Sequence, residues 1–200
     1  MHMARPSPVA DRRGDILAAT CAVVSERGFR DLRVADVARV AGCSSGTVHY
    51  YFASKDELLR EAFRFQYEAS VHRRESYVDP DDDPVTKLRK LADGYLPSSE
   101  TTIESWLVWM ELWVSALRDD TMSHINDVYY GEWRQAVLSA ATEARERGLL
   151  DVDDPLAFAD MYVSMMDGLA IQVLIGAEHM TIERMRETCW AFVDSFVPAS

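Results

Sequence analysis

The 200-residue sequence has few cysteines, and Cys21, Cys43 and Cys189 stand isolated from one another. It has no CxxC pair and no Cys/His cluster, which excludes a disulfide framework and a cysteine-based zinc site. The sequence also lacks a run of ~18 apolar residues and an apolar signal-peptide core, so we expect no membrane-spanning helix and no secretion. These absences predict a cytoplasmic protein with reduced thiols.

Motifs of the common enzyme classes are missing as well. GxSxG, HExxH, P-loop and dinucleotide-binding fingerprints do not occur. His49 and His124 fall inside predicted helices, but neither has a nucleophile at motif spacing. The acidic stretch 81–83 lacks the ligand spacing of a calcium loop. We therefore expect no catalysis, no metal site and no cofactor.

Basic residues are in the minority, and the net charge is −12. Their distribution is uneven, because residues 1–50 hold seven arginines against five acids and carry a net charge of +2. The remainder of the chain carries −14. Since DNA affinity depends on cations close to the phosphates rather than on total charge, a basic head on an acidic body is compatible with one DNA-facing end.

Residues 33–52 have the pattern of two short helices joined by a tight turn. The first helix has an apolar face at helical spacing, formed by Val34, Val37, Ala38 and Ala41. Gly42 follows it where a left-handed cap residue is needed, and Ser44 or Ser45 can cap the second helix. The second helix carries small and polar groups that suit a major groove. The alternative is an ordinary helical hairpin inside an all-α core.

The flanking segments strengthen the DNA-binding interpretation. An amphipathic helix over 15–29 precedes the hairpin, and Ser54 with Glu57 has the form of a capping box after it. Four motifs follow one another in this segment: GF at 28–29, VADVARVAG at 34–42, SSGTVHYYF at 44–52 and SKDELL at 54–59. On these motifs the whole segment resembles the N-terminal domain of the TetR family of transcriptional regulators.

The resemblance implies a set of DNA contacts on the second helix and beside it. Base-edge contacts are expected from Ser45, Gly46 and His49. Phosphate contacts are expected from Thr47, Tyr50 and Lys55, the last aided by the N-terminus of its own helix. The expected DNA-binding set also includes Arg33 and Ser44.

Two positions depart from the family pattern. Arg33 stands where a threonine often caps the first helix of the motif. Because the cap is then in doubt, the alternative role for Arg33 is a phosphate contact. His49 stands where many members have tyrosine, so the base preference is not inherited.

The rest of the chain predicts only helices, over 55–77, 83–96, 101–117, 121–147, 154–176 and 181–197. No strand-like alternation and no internal repeat is present. Together with the N-terminal helices this makes nine, which is what the resemblance implies. We expect an all-α fold with a flexible arm over 1–10, a three-helix helix-turn-helix DNA-binding domain over 11–54, and a six-helix ligand-binding and dimerisation domain over 55–200.

The helix over 154–176 is apolar almost all round, whereas a surface helix needs only one apolar stripe. It is either a core helix or half of a homodimer interface made with the last helix, and the family resemblance favours the homodimer. A two-fold dimer would present two reading helices to a palindromic site. The expected interface residues are Phe158, Met165, Leu169, Val173, Met185, Trp190 and Val193.

Four of the five tryptophans lie within 101–133, where they form either core or the walls of a ligand pocket. Aromatic faces attract cations. The C-terminal half contains WLVWMELWVSALRD at 106–119, YYGEW at 129–133, GLL at 148–150 and MDGLAIQVLIG at 166–176. On these motifs it resembles the BetI-type branch of the family, whose known ligands include small cationic metabolites such as choline. The expected ligand-binding residues are Trp106, Trp109, Met110, Trp113, Tyr129, Trp133, Tyr162, Met166 and Asp167.

Asp160 and Asp167 lie on one face of the apolar helix. A buried carboxylate is costly without a partner, so Asp167 needs either an arginine across the dimer or a cationic ligand. Glu104 and Glu111 project away from the tryptophans and are not expected in a pocket.

The sequence predicts a dimeric regulator that binds double-stranded DNA and is released by a small-molecule effector, with repression favoured over activation. The effector would act by moving the long helix that begins at Lys55, which changes the distance between the two reading helices. The alternative is a helical small-molecule-binding or scaffold protein that does not bind DNA.

Overall fold

The computed structural model describes residues 8–199, and side chains are described from residue 12 onward. Within this range the chain forms nine helices and no strand, which confirms the predicted all-α fold. The helices are α1 (Pro8–Arg27), α2 (Val34–Val40), α3 (Ser45–Tyr51), α4 (Lys55–Glu75), α5 (Pro84–Asp93), α6 (Glu100–Ala116), α7 (Asp120–Glu146), α8 (Pro155–Leu174) and α9 (Ile182–Asp194).

Helix α1 begins earlier than its amphipathic pattern predicts. Residues 8–10, which were expected in a flexible arm, form its first turn, while residues 1–7 of that arm lie outside the described residues. Pro8 is compatible with this start, because the first turn of a helix has no intrahelical acceptor for the missing N–H.

Capping side chains fix the starts of the later helices where the sequence predicts them. Asp83 accepts the N–H groups of residues 85 and 86, and Asp154 accepts those of residues 156 and 157. A proline follows each aspartate at the start of the helix. Because each cap satisfies two otherwise unpaired N–H groups, the starts of α5 and α8 follow from local sequence alone.

The chain divides into two compact units. The first comprises the described residues up to Ser70 together with Glu104–Asn126, and the second comprises Val71–Ile103 and the described residues from Asp127 onward. The first unit therefore holds more than the predicted DNA-binding domain. The functional boundary at residue 54 stays a prediction.

The core of the first unit is built from apolar side chains of α1 to α4, α6 and α7. Ile16, Val37, Leu58 and Leu112 are among its fully buried members. Burial of each such side chain contributes roughly 1.5–3 kcal/mol relative to exposure. The two short helices α2 and α3 are thus held by a core much larger than themselves.

Helix α8 contributes one buried face to the core of the second unit. Phe158 and Tyr162 are fully buried and pack with Phe192, whose ring stacks on that of Tyr162 at 5.4 Å between centroids. The Tyr162 hydroxyl donates to the Leu88 carbonyl oxygen at 3.2 Å. The interpretation of this helix as a core helix therefore applies to its Phe158–Tyr162 face.

Three of the predicted interface residues lie in the core of the single chain. Phe158, Met185 and Val193 have no exposed surface there, and their predicted role in a homodimer interface stays a prediction. Met165, Leu169 and Val173 are partly exposed, and the Trp190 side chain is 37% exposed. Sequence patterns do not distinguish these two groups, because both consist of apolar residues at helical spacing.

Candidate DNA-binding surface and interior carboxylate cluster

Backbone hydrogen bonds fix the turn between α2 and α3. Gly42 adopts φ +62°, a conformation that favours glycine, and its N–H donates to the Arg39 carbonyl oxygen at 3.3 Å. The Cys43 N–H donates to the Ala38 carbonyl oxygen at 2.9 Å. These two bonds form a Schellman motif, which ends α2 and redirects the chain into α3.

Helix α3 starts at a serine cap, and the structure decides which serine. The Ser44 Oγ accepts the Thr47 N–H at 3.0 Å and pairs with the Thr47 hydroxyl at 2.9 Å. Ser45 is therefore the first helical residue and is exposed. Ser44 acts as a helix cap, and its predicted DNA contact would have to use the same hydroxyl group.

Most of the surface of α3 faces solvent. Val48 is its one buried residue. Ser45, Gly46 and His49 are exposed, and the Tyr50 side chain is 82% exposed. Residues four apart lie side by side on a helix, so these four form one continuous surface. A short helix that buries a single side chain and exposes a tyrosine is free to contact a partner along its length.

The two predicted phosphate contacts outside α3, Arg33 and Lys55, differ in exposure and in hydrogen bonding. Arg33 is exposed and stands at the cap position of α2 in an extended conformation without a side-chain cap bond, which agrees with its departure from the family pattern. Lys55 is partly buried, and its Nζ donates to the Arg30 carbonyl oxygen at 3.4 Å. This long bond leaves the Lys55 ammonium within reach of other acceptors.

A carboxylate held by two tyrosines lies in the second unit. The Tyr95 hydroxyl donates to Asp167 Oδ1 and the Tyr130 hydroxyl donates to Asp167 Oδ2, both at 2.7 Å. Burial raises the pKa of Asp167, and the two hydrogen bonds oppose that shift. Burial and the Asp167 charge raise the pKa of both tyrosines, so both stay protonated and donate. Each oxygen of the Asp167 carboxyl group is thus held by one neutral tyrosine hydroxyl.

Trp133 extends this cluster. Its ring stacks on Tyr95 at 5.0 Å between centroids, and the Arg74 guanidinium lies 4.5 Å from the ring centroid. Trp133 is 4% exposed, and its Nε1 donor has no hydrogen-bond acceptor in the described part of the chain. An unsatisfied buried donor of this kind lowers the stability of the fold by about 1–3 kcal/mol. A ligand with a hydrogen-bond acceptor could bind to this N–H group and recover part of that free energy.

The two aspartates of α8 have different surroundings. Asp160 is exposed and forms an ion pair with Arg134, whose Nη2 lies 2.8 Å from Asp160 Oδ2. Its hydrogen bond from Arg134 lowers the pKa of Asp160. For Asp167, the predicted partner was an arginine across a dimer or a cation. Neither is needed to orient the carboxyl group, because Tyr95 and Tyr130 donate a hydrogen bond to each of its oxygens.

The structure divides the nine predicted ligand-binding residues between the units. Those in the first unit are Trp106, Trp109, Met110 and Trp113, and those in the second are Tyr129, Trp133, Tyr162, Met166 and Asp167. In the first unit, the rings of Trp106 and Trp113 meet edge to face at 6.1 Å. Tyr162 and Met166 are fully buried in the single chain, and their predicted ligand contact stays a prediction.

Sequence reasoning missed Arg74, Tyr95 and Tyr130. Tyr130 stands beside the predicted Tyr129 in the YYGEW motif, so the motif itself was a usable signal. Tyr95 follows α5 in a loop, and Arg74 lies near the end of α4, where no periodic pattern points to an interior role.

Among residues 8–199, no group of three or more His, Cys, Asp or Glu side chains is placed to hold a metal ion. No helix in the same range is long and apolar enough to cross a membrane.

A helix-turn-helix with an exposed second helix, followed by a larger helical region, is typical of DNA-binding transcriptional regulators. The family model for bacterial regulatory proteins of the tetR family matches residues 16–62, and the model for the C-terminal region of BetI-type transcriptional repressors matches residues 84–198. The chain therefore belongs to the TetR family of transcriptional regulators, and it is a regulator rather than an enzyme.

Relatives and solved structures agree with this assignment. The chain is 25% identical over 194 residues to the transcriptional regulator BetI of Ectopseudomonas mendocina, covering 92% of each chain. It is 28% identical over 190 residues to BetI of Stenotrophomonas maltophilia, covering 92% of this chain and 91% of that protein. A transcriptional regulator from Saccharomonospora viridis, solved in complex with choline, superposes with a TM-score of 0.88 at 25% identity, covering 94% of this chain and 99% of that one.

Proposed function

We propose that the protein is a dimeric repressor that binds a palindromic operator and releases it when a small ammonium compound binds. Residues 11–54 would form the DNA-binding domain and residues 55–200 the effector and dimer domain, in a reducing cytoplasm. The exposed surface of α3 is the observation that carries the DNA-binding part. Ser45, Gly46 and His49 are proposed at base edges, with Thr47, Tyr50 and Lys55 at phosphates together with Arg33 and Ser44.

Exposed apolar residues on α8 and α9 support the homodimer. On α8, Met161 is 50% exposed, and Met165 and Leu169 follow it at four-residue spacing and are partly exposed; on α9, Trp190 is 37% exposed. An exposed apolar strip such as that formed by Met161, Met165 and Leu169 marks an interaction surface. A second copy of the chain is the fitting occupant, because members of the family typically act as dimers and a two-fold axis pairs the same strip with itself.

The Asp167 cluster supports a cationic effector. Two neutral hydroxyls orient the carboxylate, so its negative charge stays available to a cation at short range. The Trp133 N–H supports an effector that also carries an oxygen acceptor. Choline combines a quaternary ammonium with a hydroxyl, and the similar Saccharomonospora viridis regulator was solved with choline bound.

Choline titration of the operator complex tests this proposal. Calorimetry would measure choline binding to the free protein, and fluorescence anisotropy of a labelled operator would measure release. Asp167→Asn should abolish both responses, because it removes the charge and keeps the shape. Asp160→Asn is the matched control on the same helix, since Asp160 is exposed and should leave choline binding unchanged. Wild-type protein that ignores choline, or equal choline affinity in Asp167→Asn, would contradict the effector assignment.

A further inference from the structure

A hydrogen bond from outside the helix-turn-helix holds the turn between α1 and α2. After α1 ends, Gly28 adopts φ +79° and its N–H donates to the Val24 carbonyl oxygen at 2.8 Å. The next N–H, that of Phe29, donates to Oε2 of Glu111 at 2.8 Å. Glu111 belongs to α6, so a carboxylate far along the chain satisfies a backbone donor at the entrance to the DNA-binding motif.

The fit between this carboxylate and the turn is close. A Cβ atom at Gly28 would lie 3.2 Å from Oε1 and 3.3 Å from Oε2 of Glu111. Position 28 therefore favours glycine for two reasons: its φ is positive, and the Glu111 carboxylate approaches it closely. A backbone N–H bonded to a carboxylate is a charge-assisted hydrogen bond, which is stronger than one to a neutral acceptor.

The same turn is tied to the DNA-binding motif on its other side. The Phe29 ring stacks on Phe63 of α4 at 5.6 Å between centroids. Arg27 Nη1 lies 3.1 Å from Asp36 Oδ2, which joins the end of α1 to α2. The Arg30 carbonyl oxygen accepts the Lys55 Nζ. A shift of the turn would thus move the start of α2 and one proposed phosphate contact together.

Glu111 also lies on the opposite side of α6 from the tryptophans in helical projection, with Trp109 two residues before it and Trp113 two after. We infer that Glu111 is a positioning residue for operator binding, which holds the α1–α2 turn through the Phe29 N–H and so sets the placement of α2 and α3. The inference rests on operator binding by α3, as proposed above.

Two variants of Glu111 separate this role from simple charge effects. In Glu111→Gln the amide oxygen can still accept the Phe29 N–H as a weaker neutral acceptor, so operator affinity should fall only about twofold to threefold. Glu111→Ala leaves the donor unsatisfied, and a lost hydrogen bond of this kind should weaken operator binding about fivefold to tenfold. Glu104→Ala is the matched control, because Glu104 is a partly buried carboxylate two turns earlier on the same face of α6 and should bind like wild type.

The readouts distinguish positioning from direct contact with DNA. Anisotropy with a selected operator would be measured over a series of salt concentrations. Because Glu111 itself contacts no phosphate, the slope of log affinity against log salt should change in Glu111→Ala by less than the ~0.9 expected for one lost phosphate contact. Hydrogen exchange of the Phe29 amide should accelerate in Glu111→Ala and not in Glu104→Ala, while the amides of the unit's core stay protected, which also shows that the variant is folded.

The outcomes fall into distinct groups. Three results would overturn the positioning role: operator affinity in Glu111→Ala that equals or exceeds wild type, a loss of affinity in Glu111→Gln equal to that in Glu111→Ala, or a change in salt slope as large as a whole lost phosphate contact, about 0.9. Wild-type protein that selects no operator would instead overturn the proposed function, and the positioning role with it.

Discussion

Replacing Tyr130 by phenylalanine tests whether Asp167 is a charged group held by neutral donors. The substitution removes one of the two 2.7 Å hydrogen bonds to the carboxylate and leaves the ring in place. A hydrogen bond to a charged group contributes about 1.5–3 kcal/mol, and one between neutral groups about 0.5–1.5 kcal/mol. Because Tyr130 and Asp167 are only partly buried, the lower half of each range applies.

A double-mutant cycle with Asp167→Asn gives the expected magnitude. Tyr130→Phe should lower the free energy of unfolding by about 1.5–2 kcal/mol in wild type and by about 0.5–1 kcal/mol in the Asp167→Asn background. The difference, about 1 kcal/mol, is the coupling that depends on the charge. Urea unfolding followed by tryptophan fluorescence at pH 7 measures it, at one fixed protein concentration because association of the chains would shift stability. Equal costs in the two backgrounds would refute the charged-carboxylate account.

The two aspartates of α8 should also give opposite pH dependences. Because burial raises the pKa of Asp167, its contribution to stability is present below the unfolded pKa, about 4, and is lost as pH rises through the folded pKa. Asp167→Asn should therefore gain stability relative to wild type as pH rises. Because Arg134 lowers the pKa of Asp160, wild type should lose its advantage over Asp160→Asn as pH falls through the folded pKa. Parallel pH curves for the two variants would contradict these directions.

Three further results are expected. Tyr50→Phe should weaken binding by about 1 kcal/mol on every DNA sequence, because a phosphate contact carries no sequence information; a changed base preference in a binding assay would show the role to be wrong. His49→Ala should lose about 1–3 kcal/mol of discrimination at one base pair, and an unchanged binding motif after site selection would refute its base contact. Burial raises the pKa of the Cys21 and Cys189 thiols to about 12, so iodoacetamide at pH 8 should alkylate only Cys43 in the native protein; mass spectrometry that finds a modified Cys21 would contradict the packing of α1.

The helices could be predicted because their signals are local. Caps such as Asp83 and Asp154 and the left-handed Gly42 mark boundaries within a few residues of sequence. The start of α1 was missed because residues before the amphipathic stretch are polar and include prolines, which suggested an irregular arm. Helix formation there requires no apolar periodicity.

The candidate sites could be predicted only in part, because their geometry depends on distant parts of the chain. Asp160 and Asp167 share a face of α8 in projection, yet one meets Arg134 at the surface and the other meets two tyrosines inside. The bond between Glu111 and Phe29 joins residues far apart in sequence, and no local pattern indicates it. The exposed surface of α3 could be predicted because all of its residues lie in one short segment, Ser45–Tyr51.

Selection of binding sites from random duplex DNA by the purified protein, at a fixed moderate salt concentration, tests the central claim most directly. The account predicts a palindrome whose half-sites lie about one helical turn or more apart, as a two-fold dimer with one exposed α3 per chain requires. Absence of any enriched sequence, at low salt as well, would contradict sequence-specific DNA binding by this surface.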